Sequence, residues 1–475
     1  MTILQKNSGL FTDHYELTMA QGYYLSQRHH LQAGFDYFYR KNPFNGGFVV
    51  FAGLSDLLEA IQHFRFSEDD CKFLVTSGFD KKFVDSLQNF KFHGNVYSVN
   101  EGEIIFPDEP VLRVEGDLIE TQVLESLILN ILNFQSLIAT KAARIRHVAG
   151  DKLLLDFGMR RAQGLGAIHA TKAAMIGGFD GTSNLFSARQ YGIHSTGTMA
   201  HSWVQTFDNE LEAFRSFATQ YPESAVLLVD TYDTLHTGIP NAIKIAKELE
   251  TGGGKLVGIR LDSGDLAYLS RKARKQLDDA GLNYVKIMVS NQLDEYVIRS
   301  LLQQHAPVDG FGVGTALVTG QGEGALDGVY KLAQVDGKPT MKVSDNISKM
   351  TLPGIKALYR YTDIENGLIQ ADAIELQDVN SPAIIYHPHH PEMKSNVSGF
   401  THEGIIKKVM KKGNKIESDK SVSEIAEYSR SRLKLIPDEI KRFENPHIYK
   451  VGIGTKLMKL RDSLKDRAVS LHQES

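Results

Sequence analysis

Hydrophobic and polar positions in the first third of the chain follow the periods of a mixed α and β domain. The segment 11–24 has helical spacing with acidic residues in its first turn, and the aromatic run FDYFYR at 35–40 predicts a strand. The long apolar segment 118–149 is broken by Glu125 and several amides, so it predicts a buried helix and no membrane span. Short strands are expected between these segments, at 94–99, 103–106 and 111–115.

The pattern changes after residue 150, where short apolar runs alternate with helical segments. The expected strands lie in the runs 153–158, 181–184, 191–203, 225–230, 255–263, 285–291 and 310–315. About seven β/α units over this length favour an α/β fold with a (β/α) barrel, whose chemistry belongs at the carboxyl ends of the strands. The predicted domains are a small α+β domain, the barrel, strands that return to the small domain, and a C-terminal helical extension, at 1–150, 151–327, 328–400 and 401–475 respectively.

Composition excludes several classes of protein. The chain has 475 residues, 42% of them hydrophobic, which is enough for more than one buried core. Its single cysteine, Cys71, excludes a disulfide framework and fits a reducing compartment, so we expect a cytoplasmic protein with no signal peptide. The segment 401–475 carries 17 Lys and Arg against 11 Asp and Glu, but the two signs are interleaved at helical spacing. We therefore expect a solvated helical face there, and no nucleic-acid partner.

Charged and hydroxyl residues are concentrated at the predicted strand ends. They are Asp156, Arg160 and Arg161; Thr182, Ser183 and Asn184; His201; Asp230 and Asp233; Arg260, Asp262, Ser263 and Asp265; Ser290 and Asn291; and Gly312, Gly314 and Thr315. Helix capping accounts for one or two such residues, but it does not need one at nearly every strand end. The acid pairs 230/233 and 262/265 suit Mg²⁺, which prefers oxygen ligands, and the glycines suit a phosphate held on backbone N–H groups.

The stretch 191–203, YGIHSTGTMAHSW, has the composition of a binding or catalytic loop. Gly197 and Ala200 leave room near the backbone, while His201 and the neighbouring hydroxyls offer hydrogen-bond donors. A polar turn with a structural histidine is the alternative, and His194 is the competing candidate for chemistry. HPHHP at 387–391 has the composition of a metal tract, but its prolines favour an extended surface loop.

The ordered set of motifs in the chain closely resembles the nicotinate phosphoribosyltransferase family over essentially the whole length to about residue 360. The residues that carry the resemblance are Thr12-Asp13-His14-Tyr15, Arg40-Lys41-Asn42-Pro43, Asp156-Phe157-Gly158, Gly181-Thr182-Ser183-Asn184, Gly197-Thr198-Met199-Ala200-His201, Arg260-Leu261-Asp262-Ser263-Gly264-Asp265 and Gly312-Val313-Gly314-Thr315. The resemblance implies a type II phosphoribosyltransferase fold with an irregular barrel, and a head-to-tail homodimer that shares its active sites. It also implies that nicotinate and 5-phosphoribosyl 1-diphosphate form nicotinate mononucleotide and diphosphate, with ATP hydrolysis coupled through a phosphohistidine.

The same resemblance gives roles to individual residues. His201 is the expected phosphohistidine, and Asp230 and Asp262 are the expected catalytic acids, because each directly ends an apolar strand. Asp233 and Asp265 are candidate Mg²⁺ ligands. The expected substrate-binding residues are Tyr15, Arg40, Phe157, Arg160, Ser183, Arg260, Ser263, Gly264, Ser290, Gly314 and Thr315.

Within this set, three residues define the expected pocket for the base. Phe157 and the partner subunit's Tyr15 enclose the pyridine ring, while Arg260 faces its substituent. Relatives that use nicotinamide carry an acid where this chain has Ser183, so the resemblance implies a preference for nicotinate.

Two other classes of function remain open from the residues alone. Another phosphate-handling barrel enzyme, such as an isomerase or aldolase, needs a Lys or Glu base at a strand end, and no obvious one is present. A non-catalytic sensor of small molecules would be expected to lack His201 or the acids, which are present.

Overall fold

The computed structural model describes residues 9–343 and 350–473, which belong to two compact units. The first unit comprises Met1–Thr140, Ala325–Lys420 and Glu427–Ser475, and the second comprises Lys141–Gly324 and Ser421–Ala426. The chain therefore leaves the first unit to form the second, returns, and contributes a short second segment, Ser421–Ala426, to the second unit before it ends in the first.

The N-terminal segment of the first unit alternates short helices with antiparallel strands. Its elements are α1 (His14–Leu25), β1 (Gln32–Tyr39), β2 (Val49–Val50), α2 (Leu54–His63), α3 (Glu68–Thr76), α4 (Lys81–Leu87), β3 (Asn95–Ser98), β4 (Ile104–Ile105), β5 (Leu112–Asp117), α5 (Leu118–Gln122) and α6 (Glu125–Ala149). Ser67 and Asp70 form a capping box at the start of α3, which shows why that helix begins there. The stretch Leu118–Ala149 is long and apolar enough to cross a membrane by composition, but 72% of its most apolar window is buried inside the protein. It has the burial of a core helix.

The second unit is built from β/α units around one parallel sheet. Its elements are β6 (Leu153–Asp156), α7 (Gly166–Ile176), β7 (Gly181–Thr182), α8 (Leu185–Tyr191), α9 (His201–Gln205), α10 (Glu210–Gln220), β8 (Val226–Leu228), α11 (Ile239–Thr251), β9 (Gly258–Leu261), α12 (Leu266–Asp279), β10 (Lys286–Ser290), α13 (Glu295–Gln303), β11 (Gly310–Val313) and α14 (Thr315–Val318). The strand order is β7-β6-β11-β10-β9-β8, and all the pairs are parallel. All six strands therefore end at one edge of the sheet.

The predicted seventh strand, at 191–203, is wrong. A single bridge joins Thr182 to Ser195, and the backbone then runs as a loop until α9 begins at His201. Glycine and small hydroxyl residues in this stretch favour turns over a paired strand. In the part of the chain that the structure describes, no strand pairing joins β7 to β8, so the six-stranded sheet is open in its hydrogen bonding.

The C-terminal segment adds strands and helices to the first unit. Its elements are β12 (Gly328–Val335), β13 (Lys338–Pro339), β14 (Lys356–Thr362), β15 (Ile369–Leu376), β16 (Ile384–Tyr386), β17 (Lys394–Asn396), β18 (Thr401–Gly404), β19 (Lys407–Lys411), β20 (Asn414–Lys415), α15 (Val422–Lys434), α16 (Asp438–Lys441), β21 (Lys450–Ile453) and α17 (Thr455–Gln473). One sheet has the order β13-β12-β1-β5-β3-β19-β20 and another β17-β16-β21-β15-β14-β18, while β2 pairs with β4. The predicted C-terminal helical extension after residue 400 does contain α15 to α17, but β18 to β21 also lie in it and belong to these two sheets.

A buried ionic network links distant segments of the first unit. Arg360 on β14 contacts Glu103 and Asp372 at 2.6 Å each, and all three side chains are almost completely buried. From the C-terminal segment, Arg432 donates to Glu103 at 2.8 Å and the Tyr449 hydroxyl donates to Asp372 at 2.8 Å. Each charge in this network therefore has an opposite charge or a hydrogen-bond donor, as burial requires.

Candidate active site

Two acids occupy neighbouring strand ends on the parallel sheet. Asp230 follows β8 and Asp262 follows β9, and these strands are paired in parallel register. One carboxylate oxygen of Asp230 accepts hydrogen bonds from the Asp262 backbone N–H and the Ser263 hydroxyl, both at 2.7 Å. The Ser290 hydroxyl, at the end of β10, donates to Asp262. Three adjacent strand ends thus form one connected polar cluster.

His201, the first residue of α9, joins this cluster. Its Nδ1 atom lies 3.1 Å from the Thr231 hydroxyl, and its Nε2 atom lies 3.9 Å from an Asp262 carboxylate oxygen. The imidazole is 40% exposed, so a ring nitrogen has access to solvent and to a bound ligand. Thr231 was not predicted from the sequence, because a threonine after a strand-end aspartate has no distinctive pattern. Its position next to Asp230 is the only available signal.

Arg260 on β9 forms hydrogen bonds with the loop that leads to His201. Its guanidinium donates to the Thr198 hydroxyl at 2.6 Å and to the Met199 carbonyl at 2.9 Å. Burial lowers the pKa of Arg260, and the nearby carboxylates of Asp262 and Asp230 oppose that change. The Nε–H is buried without an acceptor among the described residues, so one donor of the group remains available. The sequence did not predict this contact with the loop.

The ends of β6 and β11 position Phe157. A Cβ atom added at Gly312 would lie 2.3 Å from the Phe157 ring, so the ring covers this glycine. Gly312 therefore has a packing role, and its contact with a phosphate stays a prediction. Gly314 approaches the Phe157 carbonyl, and the helix that follows, α14, is only four residues long.

Asp156 organises the backbone around the same position. Its buried carboxylate accepts hydrogen bonds from the Gly158 N–H and from the hydroxyls of Thr171 and Thr182, at 2.7–2.9 Å. Burial raises the pKa of this carboxyl. Ser183 donates to the Asp156 carbonyl through its N–H at 2.9 Å and its hydroxyl at 3.1 Å. The neutral side chain of Ser183 therefore bonds to the peptide carbonyl that immediately precedes Phe157.

The two predicted Mg²⁺ ligands both act as helix caps. Asp233 accepts from the N–H groups of Leu235 and His236, and these bonds lower its pKa. Asp265 accepts from the Tyr268 N–H at the start of α12. Among the described residues, no group of three or more His, Cys, Asp or Glu side chains is arranged to hold a metal ion. The second carboxylate oxygen of Asp230 is buried without a partner, and an oxygen in that state fits Mg²⁺ as a ligand.

The remaining candidates of the second unit lie in surface turns. Arg160 is exposed in the turn after β6. Gly264 has a φ of +75°, a left-handed conformation that favours glycine. Thr315 is the first residue of α14. His194 is exposed, and its backbone carbonyl accepts a hydrogen bond from the Thr182 N–H. The backbone of His194 therefore ties the loop to β7.

Comparisons with known proteins identify the family. Family models match three segments: the nicotinate phosphoribosyltransferase N-terminal domain at 10–133, the nicotinate phosphoribosyltransferase family at 153–379 and the nicotinate phosphoribosyltransferase C-terminal domain at 355–461. The nicotinate phosphoribosyltransferase of Bacillus subtilis is 41% identical over 94% of this chain and 92% of that protein. The chain belongs to the nicotinate phosphoribosyltransferase family. It is therefore an enzyme.

Solved structures agree with this membership of the nicotinate phosphoribosyltransferase family. The human nicotinic acid phosphoribosyltransferase is 30% identical, with a TM-score of 0.85 over 95% of this chain and 99% of that chain. A nicotinate-nucleotide pyrophosphorylase from Pyrococcus furiosus is 26% identical, with a TM-score of 0.72 over 90% of this chain and 95% of that chain. The similarity includes the C-terminal segment, where the sequence motifs are weakest.

Two residues of the nicotinate phosphoribosyltransferase motifs lie in the first unit. Tyr15 is on the first turn of α1 and is 49% exposed, which leaves its ring available to a ligand or another subunit. Arg40 follows β1, where its N–H donates to the Asp327 carbonyl at 3.1 Å and its guanidinium lies 5.9 Å from the Phe38 ring. The Nε–H of Arg40 is buried without an acceptor among the described residues.

The histidine-rich segment 387–391 is a structural turn. His387 Nδ1 accepts from the N–H groups of His389 and His390, at 3.1 and 3.2 Å. His389 Nε2 lies 3.6 Å from Asp108. These contacts account for the histidines without a metal ion.

Proposed function

We propose that the protein transfers the phosphoribosyl group of 5-phosphoribosyl 1-diphosphate to nicotinate, coupled to ATP hydrolysis through a phosphohistidine at His201. The pyridine nitrogen of nicotinate forms a bond to C1 of the ribose, and the bond from C1 to diphosphate breaks. The leaving diphosphate takes the electron pair, and the product is nicotinate mononucleotide. This activity is a step of NAD salvage.

The observation that carries this proposal is the contact of His201 with Asp262. A histidine at the start of α9 lies near a carboxylate at a strand end, 3.9 Å from Nε2, and Thr231 contacts its other nitrogen. Neutral imidazole accepts a phosphoryl group at physiological pH. The added charge of about −1.5 to −2 then changes how tightly substrates and diphosphate are held.

The strand-end acids suit the transfer step. Loss of diphosphate leaves positive charge on the ribose, and the carboxylates of Asp230 and Asp262 stabilise such charge. Mg²⁺ on the unpaired oxygen of Asp230, with water and diphosphate as further ligands, would neutralise the leaving group. Asp265 remains a candidate Mg²⁺ ligand through the oxygen outside its capping bond, and Asp233 remains one in competition with the His236 imidazole, which lies 3.0 Å from both of its carboxylate oxygens.

The neutral side chain of Ser183 supports nicotinate as the base. Phe157 offers one face of a stacking site, and the unpaired Nε–H of Arg260 is a donor for a carboxylate. Tyr15 of the partner subunit would cover the other face of the ring in a homodimer with shared sites. Arg40, Arg160, Ser263, Gly264, Ser290, Gly314 and Thr315 are the proposed contacts to the phosphates and ribose.

Two further features belong to the proposal. The six parallel strands, each followed by helical segments, support an irregular barrel as the architecture of the second unit. The protein is cytoplasmic, which the buried free thiol of Cys71 supports.

A single assay tests the proposed reaction. Purified protein with nicotinate, 5-phosphoribosyl 1-diphosphate, Mg²⁺ and ATP is expected to form nicotinate mononucleotide, and Asp262→Asn is the inactive control. Complete absence of product from the unaltered protein would refute the assignment.

A further inference from the structure

A buried carboxyl lies directly behind the proposed base-binding residue Tyr15. Glu16, the next residue on α1, is completely buried. One of its oxygens accepts from the Gln122 side-chain amide at 2.5 Å, and the other has no hydrogen-bond partner among the described residues. Burial of a carboxylate with half of its acceptors unpaired is costly, so the site favours the neutral form.

A second carboxyl makes a charge at Glu16 still less favourable. The same Gln122 amide lies 3.4 Å from Glu125, which is also buried and pairs with Lys331 at 3.3 Å. The Lys331 ammonium group offsets the negative charge of Glu125. Of the two carboxyls, Glu16 is therefore the one that a second negative charge destabilises more. Asp13, Tyr15 and Tyr23 from α1 and Tyr330 from β12 also face this carboxyl, and none of them supplies positive charge.

The same residues anchor the start of α1. The Asp13 N–H donates to the Ser126 hydroxyl at 3.0 Å, and that hydroxyl donates back to the Asp13 carboxylate at 3.0 Å. Together with the bond from Gln122 to Glu16, these contacts fix the first turn of α1 against the segment 122–126. The direction of the Tyr15 ring follows from this anchoring, because Tyr15 lies between Asp13 and Glu16.

We propose that Glu16 is a positioning residue, whose protonated carboxyl holds the first turn of α1 so that Tyr15 can cover the nicotinate ring. Loss of the proton leaves a buried charge beside Glu125, and the turn must move to hydrate it. This inference rests on the proposed role of Tyr15 in the shared active site. Titration of Glu16 would then make the affinity for nicotinate depend on pH, while the groups that react with the substrates keep their protonation states.

The geometry sets the range of pH in which this effect is expected. Burial raises the pKa of Glu16 to about 7, with a smaller contribution from the charges of Glu125 and Asp13, against the polar contacts with the Tyr15 hydroxyl and the Gln122 amide that lower it. If only the protonated form binds nicotinate well, the apparent KM scales with the inverse of that fraction. Between pH 6 and pH 8 the fraction falls by about tenfold, so KM for nicotinate rises by about the same factor. The value of kcat at saturating nicotinate is expected to change less.

The test compares the KM for nicotinate from pH 6 to pH 8.5 in the unaltered protein, Glu16→Gln and Glu125→Gln. Glu16→Gln keeps the shape and neutrality of the protonated acid, so its KM is expected to stay low and independent of pH. Glu125→Gln removes a neighbouring negative charge, so the rise in KM is expected at lower pH. Superimposable profiles for the unaltered protein and Glu16→Gln would overturn the inference, whereas absence of product from both would overturn the proposed reaction instead.

Thermal unfolding gives a second readout that does not depend on activity. The pKa of Glu16 is raised on folding, so its favourable contribution is complete below about pH 4.5 and is lost as the pH rises through about 7. The Tm of Glu16→Gln relative to the unaltered protein is therefore expected to increase over this range. A constant difference would show that Glu16 does not titrate there.

Discussion

The Nδ1 atom of His201 lies 3.1 Å from the Thr231 hydroxyl, which follows the strand-end acid Asp230. This contact fixes the ring so that Nε2 is the nitrogen nearer to Asp262. Thr231→Val is expected to slow phosphorylation of His201 by roughly 2- to 10-fold, the value of one hydrogen bond. Thr231→Ser keeps the hydroxyl and is the control, and acid-labile label from γ-labelled ATP is the measurement. Equal rates for Val and Ser would remove Thr231 from the proposal.

Substitution of His201 itself separates ATP hydrolysis from phosphoribosyl transfer. His201→Ala is expected to abolish acid-labile labelling and ATP hydrolysis while it leaves slow, uncoupled transfer. The exposed His194 provides the matched control, because His194→Ala is expected to retain both activities. Labelling of His201→Ala at the unaltered rate would place the phosphohistidine elsewhere, and His194 would be the next residue to change.

The charge at position 183 is expected to decide between the two pyridine bases. Ser183→Asp places a carboxylate beside Phe157, and repulsion of nicotinate is expected to lower its kcat/KM by at least about tenfold relative to nicotinamide. Ser183→Asn has similar size without the charge and serves as the control. The prediction fails if the Asp variant uses nicotinate as well as the Asn variant does.

Complementation between inactive variants tests the shared active site. Tyr15→Ala lacks a residue of the first unit, and Asp262→Ala lacks a residue of the second. Mixed dimers contain one site with both native residues, so the mixture is expected to recover part of the activity. A fully active monomer in sedimentation experiments would contradict a site that is completed across two subunits.

The buried network around Arg360 predicts a large effect on stability. Arg360→Met leaves Glu103 and Asp372 without their main counter-charge, and such a loss costs about 3–5 kcal/mol. Lys81→Met is the control in the same unit, because the exposed pair of Lys81 with Asp85 contributes little. Denaturant unfolding of both variants gives the comparison, and similar midpoints would show that the network is dispensable.

The sequence predicted the class of the fold better than its connections. The alternation of strands and helices after residue 150 is confirmed as a parallel sheet, since apolar runs between capping residues are strong local signals. The stretch 191–203 was wrongly predicted as a strand, because hydrophobic period alone does not show whether a neighbouring edge is available for pairing. The strands after residue 400 were missed for the related reason that β18, an edge strand, and β19, which lies between β3 and β20, are largely exposed and show little apolar alternation.

For the candidate site, the sequence predicted which strand-end residues lie near one another but not the contacts that individual side chains make. The proximity of Asp230, Asp262 and Ser290 follows from parallel strands that end at one edge. The capping roles of Asp233 and Asp265 could not be separated from metal binding by residue type, because both roles use a carboxylate oxygen. The contacts of Thr231 and of Arg260 with the His201 loop join segments 30 and 62 residues apart, and no local pattern encodes them.

The two bonds from Arg260 to Thr198 and Met199 have a consequence for the evolution of this enzyme. One side chain is at once a candidate contact for the base and the support of the loop that carries His201. A change at position 260 that adapts the pocket to another base would also disturb the loop that leads to His201, and with it the proposed coupling to ATP hydrolysis. Selection therefore acts on both properties together, and a lineage that changes its substrate is expected to do so first at Ser183, where no such constraint applies.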